Sequence, residues 1–355
     1  MKVVQLLPVM SYGDAIGNDV LAIRSVIRNM GYPSDIYADA IGPHLENENI
    51  IHYDNMVLAP NDILIYHLST GSRLNRLIEQ FYCRKIAIYH NITPSSYFFG
   101  YDAISYTAAK TGLKEIKHLK DKFDYCLADS EFNRQDLLDY GYTCKIDVLP
   151  IMVPFSDYAK KPASSILRKY ADTMVNLLFV GRVVPNKKME DVIQTLYHYY
   201  NKYNTSSRLF LVGRWLDSYQ NKLKEYAQTL GLRNVVFTGH VKFKEILAYY
   251  SLADVFVCMS EHEGFCVPLL EAMYFDIPIV AAPHTAVPST LGDSGTLLDE
   301  GSPLLAAGVV DRLIRDAELR KKVISDQRKR LNDFSYPTVK RQFETYLNEF
   351  LWSLK

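Results

Sequence analysis

The chain has 355 residues, 48% apolar and 23% charged, a balance that fits a globular protein large enough for two domains with separate cores. Forty basic side chains match forty acidic ones, so the formal charge is zero and no overall pull toward nucleic acid exists. No apolar run reaches the roughly eighteen residues that a membrane-spanning helix needs, and the segment 1–10 reads as a strand rather than a signal peptide, so a cytoplasmic protein is expected.

Short apolar runs alternate with helix-period segments from end to end, which predicts an α/β protein with parallel sheets covered by helices. In the first half, strands are predicted at 3–8, 34–38, 62–67, 85–90, 125–128 and 146–149. The first strand leads into Tyr12-Gly13-Asp14-Ala15-Ile16-Gly17-Asn18-Asp19, a turn whose glycines permit close backbone approach and whose Asp14 suits either a helix N-cap or a ligand contact. Ile16, Val20, Ile23, Ile27 and Met30 then recur at intervals of three and four, marking one buried helix face that Gly31 ends. His67 closes the third strand and carries no assigned role. The fourth ends in His90-Asn91-Ile92-Thr93-Pro94, which brings polar groups to a carboxyl strand end, although a lone histidine is more often structural. The glycosylation-type sequence at 91–93 is a chance match in a cytoplasmic chain. Lys110, Lys114 and Lys117 share a helical face, followed by Lys120 and Lys122. With Glu115 and Asp121 interrupting the row, a solvated surface is the first explanation and weak contact with anionic lipid at the inner membrane face the second.

The mixed stretch 155–165 separates the halves, so the expected domains are 1–160 and 161–336. Beyond it, strands are predicted at 177–180, 209–212, 235–238, 255–258 and 277–281, a second Rossmann-like unit. The run ending at Val180 continues as Gly181-Arg182-Val183-Val184-Pro185-Asn186-Lys187-Lys188, a strand followed by a turn with cations at the carboxyl edge of a sheet. There Arg182 and Lys187, with Lys188 as the alternative, would grip a diphosphate. Gly213 marks another tight strand-end turn, and Gly239-His240-Val241 a third. The segment 260–273 carries two carboxylates around a glycine-containing turn. Pro268 fits the first turn of a helix, so 264–267 would form a loop of free backbone N–H groups, suited to phosphate. Glu263 would stand before that helix, near whatever the phosphate carries, and Glu271 about one turn inside it, able to accept hydrogen bonds from a ribose diol.

Five cysteines, Cys83, Cys126, Cys144, Cys258 and Cys266, form no Cys-x-x-Cys pair, and buried free thiols are expected. No Asp-x-Asp dyad stands near a phosphate loop and no His, Cys or acid spacing matches a metal site, so no metal is expected.

The run Glu263-Gly264-Phe265-Cys266-Val267-Pro268-Leu269-Leu270-Glu271 resembles the Glu-x7-Glu signature of retaining glycosyltransferases of family 4. The resemblance implies the GT-B arrangement: two Rossmann-like domains facing across a cleft, with a last helix, 337–355, returning to the first. It implies retaining, metal-independent transfer of a hexose from a nucleoside-diphosphate sugar to a glycan or lipid-linked sugar, in surface polysaccharide or glycoconjugate synthesis, with no cofactor beyond the donor. Arg182 and Lys187 then hold the leaving diphosphate and Glu263 the sugar, while His90 matches the family's sugar-contacting histidine. Gly17, Gly181, Gly213, His240, Val241, Gly264, Phe265, Cys266, Val267 and Glu271 line the nucleotide sugar. Asp14 and Asn91 fall on the acceptor side. The chain departs from the family in lacking a second glycine beside Gly17, in having Cys266 where many relatives have glycine, in Tyr274-Phe275-Asp276, and in a 283–288 loop without an acid, which leaves the sugar unassigned. The rival readings are another GT-B enzyme, an epimerase or a phosphorylase, and a non-catalytic sugar-nucleotide-binding subunit.

Overall fold

The apolar runs become parallel strands buried on both faces, which explains why they read as near-continuous rather than alternating. The computed structural model describes residues 1–353. It divides into one unit comprising 1–96, 103–154 and the chain from Asp333 onward, and another comprising 97–102 and 155–332.

In the first unit β1 (Val3–Met10), α1 (Ala15–Asn29), β2 (Ile36–Ile41), β3 (Ile50–His52), β4 (Ile63–Leu68), α2 (Arg73–Leu77), β5 (Arg84–Tyr89), α3 (Ala103–His118), β6 (Tyr125–Ala128), α4 (Glu131–Asp139) and β7 (Lys145–Val148) follow one another. The strands pair in parallel in the order β3-β2-β1-β4-β5-β6-β7. The order therefore reverses between β1 and β4, and in open α/β sheets that crevice, at the carboxyl ends, takes the ligand. Gly31 ends α1 in the left-handed region at φ 89°. Sequence periodicity misses β3, whose three half-buried residues carry no apolar run of their own. On α3 the lysines 110, 114 and 117 are exposed, whereas Glu115 turns inward to accept from the amide of Asn75 at 2.7 Å and pair with Arg76. It does not interrupt the basic face as the sequence suggests.

The second unit contains α5 (Ser164–Lys169), β8 (Val175–Val180), α6 (Met189–Lys202), β9 (Ser207–Val212), α7 (Asp217–Thr229), β10 (Val235–Gly239), α8 (Phe243–Leu252), β11 (Val255–Cys258), α9 (Val267–Tyr274), β12 (Ile279–Ala281), α10 (Val287–Leu291), β13 (Thr296–Leu297), α11 (Pro303–Arg315) and α12 (Ala317–Asp333). Its parallel sheet runs β10-β9-β8-β11-β12-β13, with the reversal between β8 and β11. The two-residue β13 is too short to leave a periodic signal. The segment 97–102 belongs here: Tyr101 packs edge-on against Tyr219 at 5.3 Å, and its hydroxyl accepts from Lys222.

The last helix, α13 (Tyr336–Ser353), belongs to the first unit, where Val339, Phe343, Leu347 and Leu351 recur at four-residue spacing and enter one core with Ile23, Ile27, Ile63 and Ile86. The expected helix also included 354–355, which lie outside the described residues. The fold class is thus α/β with two Rossmann-like units. Among the described residues no helix is long and apolar enough to cross a membrane.

Candidate functional site

In the first unit the carboxyl end of β1 delivers the turn 11–14. Asp14 caps α1, its Oδ1 accepting from the Gly17 N–H at 2.6 Å. Asp14 is thus an N-cap, one of the two roles its sequence position suits. Gly17 is fixed by crowding: a Cβ there would stand 2.3 Å from the carbonyl oxygen of Ser11. Asn91, at φ 74°, is buried and donates to Asn133 at 2.9 Å.

His90 sits at the end of β5 with a side chain 1% exposed and both ring nitrogens engaged. Nδ1 lies 2.8 Å from Asp129 Oδ2, and Nε2 lies 2.8 Å from Nδ1 of His67, whose own Nε2 meets Gln5 Oε1 at 2.9 Å. Asp19 is buried beside this row and accepts from the Met152 N–H at 2.8 Å. Burial, with Asp129 nearby and only partly offset by His90, pushes the Asp19 carboxyl up to about 7. Burial and His90 drive the His67 imidazole well below its ordinary range, so it is neutral. Burial also works against protonating His90, but Asp129, Asp19 and Asp14 outweigh it and hold the ring above its ordinary range. Gln5, His67, Asp19 and Asp129 carry no motif. The one available signal was that His67 lies near the end of β4 as His90 follows β5, on neighbouring strands.

In the second unit the strand ends converge on glycines. Gly181 N–H donates to Val212 O at 3.0 Å and Gly213 N–H to Gly239 O at 3.2 Å, so the three glycines line up across β8, β9 and β10. Gly213 is obligatory, because a Cβ would lie 2.0 Å from the Gly181 carbonyl oxygen. Beyond this edge His240 is exposed and Val241 half-buried.

After β8, Arg182 is exposed, and a 3-10 turn, Pro185–Lys187, ends on Lys188 in the left-handed region at φ 50°. That kink separates the two lysines. Lys187 Nζ lies 2.5 Å from Glu263 Oε2, whereas Lys188 turns to Glu261 at 3.1 Å. The loops after β8 and β11 are also joined by the backbone: Glu261 N–H donates to Asn186 O, and Asn186 Nδ2 to His262 O, both at 2.9 Å. Glu263 is 8% exposed, its N–H donating to Thr285 Oγ1 at 2.8 Å. Burial and the Lys187 charge push His262 down to about 4.

Gly264, Phe265 and Cys266 form the turn before α9, with Cys266 at φ 74° as an N-cap that contributes no side-chain bond. Val267, expected in this loop, is instead the first helical residue, because Pro268 is tolerated in the second helical position as well as the first. Glu271 accepts from the hydroxyls of Tyr158 and Tyr250, one at each carboxylate oxygen. Burial raises its carboxyl above the ordinary range against the opposing effect of those bonds. Neither tyrosine has a sequence signal pointing to Glu271.

Two clusters among the described residues bring three metal-type donors within 4.8 Å of one another. In Asp19, His67 and His90 the imidazoles are coplanar within 6° with centroids 5.1 Å apart, the 2.8 Å contact plus the two ring radii. The nitrogens point head-on at each other, the geometry of a hydrogen bond rather than of rings converging on an ion. In Cys258, Glu263 and Cys266 the carboxylate is taken by Lys187. A depression of about 600 Å³ lined in part by Pro60, Phe81, Arg84 and Asp124 lies at the amino ends of the first sheet's strands, the edge opposite His90.

Residues 169–330 match the family described as glycosyl transferases group 1. The chain is 28% identical over 177 residues to the capsular polysaccharide biosynthesis glycosyltransferase CapM of Staphylococcus aureus, covering 49% of this chain and 46% of that protein. It is 27% identical over 193 residues to the O-antigen chain mannosyltransferase B of Escherichia coli, covering 52% and 50%. The matches thus span about half the length of these curated relatives. Among solved structures, Anabaena HepE in complex with UDP-glucose superposes with a TM-score of 0.78 at 17% identity, over 98% of this chain and 100% of that one. A sucrose-phosphate synthase from Thermosynechococcus elongatus gives 0.73 at 15%, over 99% and 100%. At these identities the likeness is one of fold.

Proposed function

We propose that this chain, whose residues 169–330 match the glycosyl transferases group 1 family, transfers a hexose from a nucleoside-diphosphate sugar to a glycan or lipid-linked sugar. The observation that carries the reading is the Lys187–Glu263 ion pair, which joins the loops on either side of the β8/β11 reversal beside the row Gly181, Gly213 and Gly239. That crevice offers a cation for phosphate, a carboxylate for sugar hydroxyls and backbone close enough to touch a ligand.

In this reading the part spanning 161–336 binds the donor, and the first, 1–160 with the helix from 337, takes the acceptor. Lys187 leaves Glu263 in part to meet the diphosphate, joined by Arg182 and by the N–H groups of Gly264 to Val267. Freed of full pairing, Glu263 binds sugar hydroxyls and stabilises positive charge developing at the anomeric carbon. Glu271 receives the ribose, and His240 and Val241 flank the base. The bond from the anomeric carbon to the phosphate oxygen breaks and the acceptor oxygen bonds to that carbon from the same face, its proton passing to the departing phosphate. The anomeric configuration is retained. In this reading the Lys187 ammonium supplies the positive charge that a metal ion would otherwise bring to the leaving diphosphate, so no metal is required. The work of the proteins named above supports a setting in surface polysaccharide assembly, and the exposed lysines of α3 favour weak contact with an anionic membrane at the acceptor side.

The test is incubation with UDP-, GDP- and dTDP-sugars and a panel of glycan and lipid-linked acceptors, with the product's anomeric configuration read by NMR. UDP-glucose is the first donor to try, since HepE binds it on a similar fold. Retained configuration and undiminished turnover in chelator are expected. Free epimer formed without acceptor would favour an epimerase, sugar release by inorganic phosphate a phosphorylase, and donor binding without any turnover a non-catalytic subunit.

A further inference from the structure

We propose that His90 acts as a buried imidazolium whose proton at each ring nitrogen is dictated by Gln5, His67 and Asp129. The inference rests on the proposed transferase reading for its consequence in turnover, but not for the network itself.

The chain of donors starts at Gln5 on β1. Its Nε2 lies 3.0 Å from the carbonyl oxygen of Val20, which can only accept, so the amide orientation is fixed with Oε1 on the other side. That Oε1, also only an acceptor, lies 2.9 Å from His67 Nε2, which must therefore carry hydrogen. His67 is fully buried and neutral, so its Nδ1 is a bare lone pair. The nitrogen facing that lone pair head-on, His90 Nε2 at 2.8 Å, must then donate. One proton of His90 is thus assigned by a glutamine two strands away. The other nitrogen, Nδ1, faces Asp129 Oδ2 at 2.8 Å in a contact where both side chains are almost wholly buried.

A charged His90 is the state that the surroundings favour. The titratable groups facing it are the carboxyls of Asp14 and Asp19 at the start of α1, Asp129 after β6, and the neutral His67 on β4. No positive charge is among those facing groups. Asp129 Oδ1 is buried with no hydrogen-bond partner among the described residues, so that carboxylate depends on His90 for its compensation. Gln5, His67 and Asp129 are positioning residues. His90 itself lies at the carboxyl edge of the sheet, close enough to the Asp14–Gly17 turn for Asp14 to act on its charge. There a fixed positive charge adds to the amino-terminal dipole of α1 and favours an anionic group at that turn without touching it.

The test is nitrogen-15 NMR of the histidine rings in the full chain between pH 6 and 8, with turnover measured in parallel. His67 should show the neutral Nε2–H tautomer and His90 hydrogen at both nitrogens. A neutral His90 at pH 7, or His67 protonated at Nδ1, overturns the proposal, whatever the activity. In Gln5→Glu the new carboxylate should draw a second proton onto His67 and strip Nε2–H from His90; an unchanged His90 signal overturns the proposal. Asp129→Asn should leave His90 neutral at pH 7 and lower kcat/KM at least tenfold, with the acid limb of the pH profile displaced. Should the wild-type spectra match and no sugar be transferred by any donor, the network stands and the transferase reading falls.

Discussion

The ammonium of Lys187 stands 2.5 Å from Oε2 of Glu263, an ion pair that bridges the two loops flanking the strand-order reversal of the second sheet. The side chains are 17% and 9% exposed, so each charge depends on the other for what it loses to desolvation. Lys187→Met and Glu263→Gln should each lower unfolding free energy by roughly 3 kcal/mol, because each strands one buried charge. The double variant should recover most of that loss in urea titration, while all three lose turnover by about a hundredfold or more. A double variant no more stable than either single one would show that the pair does not hold the loops together.

Asp19 provides a pH signature. Its carboxyl is pushed up to about 7 in the fold against an ordinary value near 4, so its contribution to stability is full below about pH 4 and lost as pH rises through about 7. Asp19→Asn keeps an acceptor for the Met152 N–H without a charge. It should therefore exceed the wild type by up to about 4 kcal/mol at pH 8 and match it near pH 4. Thermal unfolding across that range decides it, and parallel curves for the two proteins would refute the assignment.

Glu271 is occupied before any nucleotide arrives, since the hydroxyls of Tyr158 and Tyr250 take one oxygen each. A ribose diol competes with them. Tyr158→Phe should lower stability by about 1.5 kcal/mol through the lost charge-assisted bond and tighten nucleoside-diphosphate binding severalfold, whereas Glu271→Gln should weaken that binding about tenfold. Calorimetry with both variants tests this, and weaker binding in Tyr158→Phe would contradict it.

Gly213→Ala should be among the most damaging single substitutions, because its Cβ would lie 2.0 Å from the Gly181 carbonyl oxygen, where only backbone movement makes room. Gly13→Ala, also at positive φ but with nothing within 4 Å of its Cβ, should cost only about 1 kcal/mol. A loss of at least about 3 kcal/mol for Gly213→Ala is expected in urea unfolding; equal losses would show that crowding does not decide.

Most of the fold was legible because its strands are buried on both faces and read as apolar runs. The strand 125–128 and the strand 255–258 match their predicted bounds, while β3 and β13 were too short to leave a pattern. The turns and helix start that carry Gly181, Lys187, Glu263 and Glu271 were legible from local sequence chemistry. What the sequence could not reveal is pairing over distance. The pairing of His67 with His90, of Gln5 with His67 and of Tyr158 with Glu271 arises only when strands or helices far apart in the chain become neighbours, and no local spacing encodes it. The opposite bearings of Lys187 and Lys188 likewise follow from a left-handed residue that composition does not mark.

The helix α13 supplies Val339, Phe343 and Leu347 to a core begun by Val3. Strands of the first half consequently keep an uncovered apolar face during synthesis until these later residues emerge. Truncations that remove α13 should therefore yield aggregation during synthesis rather than a shorter folded protein.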